Sequence, residues 1–413
     1  MSASITHASW LKAPETRALI GALEAVRAGG SRFVGGCVRN TLMGVGVDDI
    51  DIATQLTPDQ VGAVARQAGF AAHPTGIEHG TMTVVVNHAP FEVTTLRRDV
   101  TTDGRRATVA FTESWEEDAA RRDFRMNALY AGADGAVFDP TGGGLGDARA
   151  GRVIFVGDPQ TRIREDNLRI LRFFRFNAWY GRGDLDATGL AACEISRDGL
   201  AQLSAERVWK ELKKLLAAPR PMDSVAAMLR TRIWERAAPE AKNFVRMLSL
   251  IQIEQELMLS ADPMARIAAA LDDPDGARAL AGRLKLSNQE RDRLVGALGN
   301  DERITSYASM REVRRALYRL GPETFQDRVK LGWASAEVRK AAPQWQALLA
   351  LAQTWVRPKF PLSGDEVMAA GVAAGPKVGE VMREVEAWWI DADFPDDRLA
   401  IIERLKAVAQ GLA

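Results

Sequence analysis

Val34-Gly35-Gly36-Cys37-Val38-Arg39-Asn40 is followed shortly by Asp48-Asp49-Ile50-Asp51-Ile52-Ala53-Thr54. Residues 32–34 (Arg-Phe-Val) read as a short strand running into the glycine pair. Glycines without Cβ atoms let a turn approach a phosphate closely, although many Gly-Gly pairs are ordinary turns. The helix that follows would aim its free N–H groups and dipole end at the same place, with Arg39 one turn in. Ile50-Asp51-Ile52 reads as a second strand. On a strand Asp49 and Asp51 share one face, while Ile50 and Ile52 point the other way into the core. Two carboxylates on one face repel unless cations lie between them, and hard oxygen ligands of this kind suit Mg²⁺. Two such ions could activate an attacking hydroxyl and stabilise a leaving pyrophosphate.

Working outward, Thr57 with Pro58 starts a helix running to about Ala68. Met82–Val86 and Phe91–Leu96 form a hairpin through Asn87-His88-Ala89-Pro90. Glu92 in its second strand is either a third carboxylate beside the Asp pair or a solvent-facing residue. Beyond Thr161 apolar residues recur at spacings of three and four, the mark of helices. The expected fold is α+β, a small α/β head followed by an all-helical neck, body and tail. The domains are expected at 1–150, 151–220 and 221–413.

The 413 residues carry 54 Lys+Arg and 54 Asp+Glu. That balance argues against a protein that coats nucleic acid, but the charge is uneven. By segment it is −4 over 1–150, +4 over 151–220 and zero over 221–413. The middle segment offers either a modest polyanion surface or ordinary solvated helix faces. Two cysteines, Cys37 and Cys193, give no disulfide framework and fit a reducing, cytoplasmic setting. All four histidines lie within the first 88 residues, so zinc is not expected. Neither a signal peptide nor a membrane span is expected.

The glycine turn and the Asp-Ile-Asp-Ile-Ala-Thr strand are joined by further motifs in a fixed order. These are Arg121-Arg122-Asp123-Phe124-Arg125-Met126-Asn127, Asp139-Pro140-Thr141-Gly142-Gly143 with Asp147, Glu165-Asp166-Asn167-Leu168-Arg169-Ile170-Leu171-Arg172, and Ser204-Ala205-Glu206-Arg207 with Glu211. Together, over residues 32–216, they resemble the class II family of tRNA CCA-adding enzymes and bacterial poly(A) polymerases. The resemblance implies a polymerase β-like nucleotidyltransferase head that uses Mg²⁺, CTP, ATP and tRNA. It implies that Asp49 and Asp51 hold the metal, that Gly36 and Arg39, beside Gly35, hold the triphosphate, and that Arg122, Asp123 and Asn127 bind the nucleotide's sugar and phosphates. Two residues depart from the pattern: Asn40 replaces a usual Asp, and Arg125 replaces a small polar residue.

Glu165, Asp166, Arg169, Arg172 and Arg175 are predicted to share one helix, where Asp166 and Arg169 are neighbours. Cytosine and adenine both present an amino donor beside a ring acceptor. A carboxylate accepts from the first and a guanidinium donates to the second. Uracil and guanine present the reverse order and would leave both charges unpaired, at about 1–3 kcal/mol each. Glu165 can hold Arg169 at the right tilt. This agrees with the family's protein-only templating.

Complete CCA addition is therefore expected. The alternatives are poly(A) polymerase, an enzyme adding only CC or only A, and an inactive RNA-binding homologue. By the same resemblance, poly(A) polymerases typically carry a basic C-terminal extension, which the final residues do not show, and CC-only enzymes are short where this chain keeps Arg97–Arg106, a polar, glycine-containing loop that thus favours addition of A. With no histidine beyond His88, a phosphohydrolase module is not expected.

Overall fold

The computed structural model describes residues 3–76, 80–103, 106–335 and 342–411; His79 and the Gly104-Arg105 pair lie outside them. The chain divides into two compact units, Met1–Pro239 and Glu240–Ala413. The expected boundary at 150/151 therefore falls inside the first unit.

The first unit runs α1 (Ser9–Lys12), α2 (Pro14–Val26), β1 (Ser31–Val34), α3 (Gly36–Met43), β2 (Asp51–Thr54), α4 (Pro58–Gln67), β3 (Ala71–Gly76), β4 (Thr81–Val86), β5 (Ala89–Thr95), β6 (Arg97–Asp103), β7 (Arg106–Phe111), α5 (Trp115–Ala120), β8 (Tyr130–Ala131), β9 (Val137–Phe138), α6 (Gly144–Ala150), α7 (Pro159–Glu165), α8 (Leu168–Tyr180), α9 (Ala187–Ile195), α10 (Ala205–Leu216), α11 (Met222–Arg230) and α12 (Ile233–Ala237). Seven strands form one sheet in the order β3-β4-β5-β2-β1-β8-β9. Among the described residues only β2 and β5 pair in parallel; β1 pairs antiparallel with both β2 and β8. Phe33, Ile52, Val84 and Val93 are fully buried. Burial of each such side chain is worth about 1.5–3 kcal/mol. Helix α4 starts as expected, with Thr57 and Gln60 forming a reciprocal capping box.

Two sequence expectations need correction here. The hairpin turn is two residues, with Ala89 and Pro90 already in the strand. Asn87 (φ 47°) and His88 (φ 68°) adopt the left-handed conformation that such tight turns require. Within the stretch expected as a loop over Arg97–Arg106, the described residues Arg97–Asp103 and Arg106 belong instead to an antiparallel ribbon, β6 with β7, paired from Arg97↔Phe111 to Asp103↔Arg106. Its Val and Thr residues favour extended backbone over a mobile loop.

Beyond the head, α8 carries an apolar stripe of Ile170, Leu171, Phe173 and Phe174 into the core. Phe173 stacks on Phe155, and Phe124 packs beside both. Packing of this kind fixes α8 against the head's motif residues and so positions the cleft described below.

The second unit is built from nine described helices, α13 (Phe244–Glu256), α14 (Pro263–Ala270), α15 (Pro274–Leu284), α16 (Asn288–Leu298), α17 (Met310–Ser335), α18 (Ala342–Thr354), α19 (Gly364–Ala369), α20 (Pro376–Asp391) and α21 (Arg398–Ala409). Helix α17 kinks at Gly321 (φ 76°, ψ 163°), immediately before Pro322. That conformation favours glycine, and the proline cannot continue the helical ladder. Val367, Val385, Trp389, Ile401 and Leu405 form a core under α19–α21. Among the described residues, no helix is long and apolar enough to cross a membrane.

Candidate functional site

A cleft of about 520 Å³ opens in the first unit over the ends of β1 and β2. Gly35, Gly36, Arg39, Asp51, Arg122, Asp123, Asn127, Asp166, Arg169 and Arg172 line it, together with Arg97, Arg121, Phe176 and Arg207. Residues from four of the five sequence motifs, all but the third, are thus brought to one place.

At the floor, β1 is followed by Gly35 with φ 70° and ψ −118°, a conformation that L side chains rarely adopt. Its amide donates to the Leu129 carbonyl at 3.2 Å, and α3 begins at the next residue. Arg39, 6% exposed, lies one turn later. Its guanidinium donates to Asn127 Oδ1 and to the Tyr180 hydroxyl (2.7 Å), and sits 4.0 Å over the Tyr180 ring. Its partners among the described residues, Asn127, Tyr180 and Asn40, are all neutral, so no carboxylate there bonds this cleft-lining cation. Asn40 accepts from Arg39 (2.7 Å) and donates its amide to the Gly46 carbonyl (2.7 Å). An aspartate could not make the second bond, which accounts for the departure at this position.

Asp51 opens β2, while Asp49 lies before the strand and is exposed. The expectation that both stand on one strand is corrected, because β1 turns away after Val34 and its ladder ends at Val34↔Asp51. Ile52 is buried as expected, but Ile50 is only half-buried. Glu92 is the register partner of Asp51 across β2 and β5, so its strand does neighbour the Asp pair, and it is exposed. Burial, then Glu92 and Asp49, push the Asp51 carboxyl up to about 6, against the lowering effect of Arg122. This all-carboxylate donor set fits a hard divalent cation, whose charge would relieve the mutual repulsion. Among the described residues no three His, Cys, Asp or Glu side chains converge into a closed metal cage. Two carboxylates completed by substrate phosphates suit that arrangement.

Asp123, 7% exposed, accepts from Phe124 N–H (2.8 Å), Asn127 Nδ2 (2.9 Å) and Arg172 Nε (2.8 Å). Burial raises its carboxyl, but Arg172 and these bonds outweigh it and hold the group at about 2. Arg125, the second departure, pairs with the fully buried Asp147 at 2.6 Å, which also receives Arg152. Arg125 therefore ties the second motif to the third.

Glu165, Asp166 and the arginines do not share one helix. Helix α7 ends at Glu165, Asp166 is extended (φ −154°, ψ 106°), and α8 starts at Leu168. The cause is local: Asp166 Oδ1 accepts the Leu168 N–H at 3.0 Å, competing with the helical backbone. Its Oδ2 accepts from Arg207 on α10 at 2.7 Å. Arg169 pairs with Glu165, as expected, and donates to the Arg162 and Arg121 carbonyls. Asp166 and Arg169 line the same cleft without bonding each other's side chains. Arg175 lies behind it, paired with Glu211 on α10, 4.4 Å over the Phe176 ring.

Asp118, Arg97, Arg121, Phe176 and Arg207 were not singled out as site residues from the sequence. Asp118 stands three and four residues before Arg121 and Arg122, a spacing that signals helix-face ion pairs. Phe176 lies between the ring-facing arginines of α8, and Arg207 sits within the fifth motif.

The chain is similar to known proteins over most of its length. Residues 31–154 match the family described as "Poly A polymerase head domain", and residues 185–245 match "Probable RNA and SrmB- binding site of polymerase A". The chain is 32% identical over 386 residues to the mitochondrial CCA tRNA nucleotidyltransferase 1 of Mus musculus, covering 91% of this chain and 86% of that one. It is 29% identical over 379 residues to the CCA-adding enzyme of Levilactobacillus brevis, covering 90% and 92%. The Bacillus stearothermophilus CCA-adding enzyme, solved in complex with CTP, superposes with a TM-score of 0.72 at 25% identity, covering 97% of this chain and all of that one.

Proposed function

The chain belongs to the family of CCA-adding tRNA nucleotidyltransferases, and from that premise we propose how its cleft works. The protein adds C, C and A to the 3′ end of tRNA, using CTP and ATP. The observation that carries the reading is the meeting of Asp51 with the Gly35-Gly36 turn, Arg39 and Arg122 in one cleft, with Glu92 beside Asp51 in register.

In the reaction the tRNA 3′-hydroxyl oxygen attacks the α-phosphorus in line. The new P–O bond forms as the bond to the bridging oxygen of the β-phosphate breaks, and pyrophosphate leaves while the hydroxyl proton passes to solvent. Asp49 and Asp51 would hold Mg²⁺, which would supply positive charge favouring the deprotonated hydroxyl and neutralising the leaving group. Arg39 and Arg122 fork onto phosphate oxygens beside the glycine turn. Asp123, held by Arg172 and Asn127, faces the sugar.

Asp166 and Arg169 read the base. Each Asp166 oxygen has one bonded neighbour in the free protein and keeps a further lone pair for an amino group. The Arg169 guanidinium, steadied by Glu165 and two carbonyls, has N–H groups left for a ring nitrogen. The +4 region over 151–220 is suited to the acceptor stem. Both cysteines are buried and unpaired, which supports a reducing, cytoplasmic setting.

The test is to incubate the protein with tRNAs lacking CCA, ending in C and ending in CC, with each nucleotide singly, and to sequence the products. Stepwise C, C and A addition is expected. Long A tails, or A added only to CC ends, would displace the reading.

A further inference from the structure

The cleft arginines Arg121 and Arg122 both depend on a residue behind them. Asp118 lies on α5, and its side chain is 1% exposed. Its Oδ1 accepts from Arg121 Nε at 2.9 Å and from the Arg97 backbone N–H at 3.4 Å. Its Oδ2 accepts from Arg122 Nη2 (3.0 Å) and Nε (3.2 Å) and from the Tyr130 hydroxyl (2.6 Å). Tyr130 is itself fixed edge-on to Trp115 at 5.2 Å.

Both guanidiniums would repel each other and sample many rotamers if left free. One buried carboxylate cancels part of that repulsion and occupies the inner edge of Arg122. The outer nitrogen, Nη1, is then left at 3.5 Å from the Asn127 carbonyl, the limit of a hydrogen bond. It stands 3.6 Å from where a Cβ on Gly35 would be, against the phosphate-approach turn.

We propose that Asp118 is a positioning residue for nucleotide binding, aiming Arg121 and Arg122 at the triphosphate. The assignment rests on the nucleotidyl-transfer reading of the cleft. It concerns the phosphates, which CTP and ATP share, and so sets affinity for both without choosing between bases. Burial alone would raise the Asp118 carboxyl, but Arg122, Arg121 and the Tyr130 hydroxyl hold it well below the usual carboxylate range. It therefore stays charged throughout the range in which an enzyme of this kind would be assayed.

The experiment compares wild type, Asp118→Asn and Tyr130→Phe, with KM for CTP and for ATP measured separately beside kcat and thermal midpoint. Asp118→Asn is expected to raise both KM values by about tenfold or more, in the same ratio, with a smaller change in kcat. Tyr130→Phe, which removes one hydroxyl, is expected to raise both severalfold and serves if Asp118→Asn does not fold. Unchanged KM in the folded variants, or a fall in kcat alone, would overturn the assignment. Wild-type protein that transfers neither C nor A would overturn the reading of the cleft instead, and is scored first.

Discussion

Asp51 and Glu92 face each other as register partners on the parallel pair β2 and β5, although 41 positions separate them in sequence. Asp51 opens β2 and Glu92 lies in β5 of the hairpin that follows, so the sheet sets acidic residues from two segments side by side. Asp51→Asn should reduce transfer by at least about a hundredfold while leaving tRNA binding nearly intact. Glu92→Gln should have a smaller effect. Single-turnover incorporation beside a gel-shift assay separates the two; comparable residual transfer in both variants would remove Asp51 from the metal site.

Asp166→Ala should relax nucleotide choice. Loss of the carboxylate removes the acceptor for the amino group of C or A, so UTP and GTP should enter about tenfold or more frequently relative to CTP. Competition assays with mixed nucleotides measure this ratio. Unchanged selectivity would place base reading elsewhere in the cleft.

Gly35→Ala tests the turn itself. At φ 70° and ψ −118° a Cβ is strained by about 1–2 kcal/mol. It would also stand 3.6 Å from Arg122 Nη1, where a phosphate oxygen is expected. A lower thermal midpoint together with a raised KM for both nucleotides is the expected outcome. A changed midpoint with unchanged KM would mean that phosphates do not approach this turn.

Acid stability provides an independent measurement. The Asp123 carboxyl lies at about 2 in the folded protein, below its unfolded value, so its contribution is complete above about pH 4 to 5. It is lost as pH falls through the folded value and amounts to about 2 kcal/mol. Asp118 acts with the same sign. Denaturant melts of Asp123→Asn between pH 3 and 7 should be flatter than those of wild type; parallel curves would show that the Arg172 partnership contributes nothing.

Features specified by a few adjacent residues were legible in the sequence. The Gly35-Gly36 turn, the Thr57 cap, the β4–β5 hairpin and the helical body all follow from local conformational preference. Asp49 was misplaced because the end of β2 is decided by where its partner β1 turns away, a non-local fact. The break between Glu165 and Asp166 was missed because regular i, i+3 and i, i+4 spacing describes a continuous helix. One side-chain bond to the Leu168 amide was enough to interrupt it. Asn40 and Arg125 looked like defects when compared with a family pattern. Their partners, the Gly46 carbonyl and Asp147, show each to be locally satisfied.

The interruption at Asp166 has a consequence for how accuracy could drift. The two groups that meet the base are anchored separately, Arg169 by Glu165 at the end of α7 and Asp166 by Arg207 on α10. A small tilt of α10 would therefore move one half of the reading head and leave the other in place, while the carboxylates at the cleft floor stay untouched. Errors in which letter is written would then accumulate before any slowing of the pen, and a lineage could lose fidelity through changes in how α10 packs.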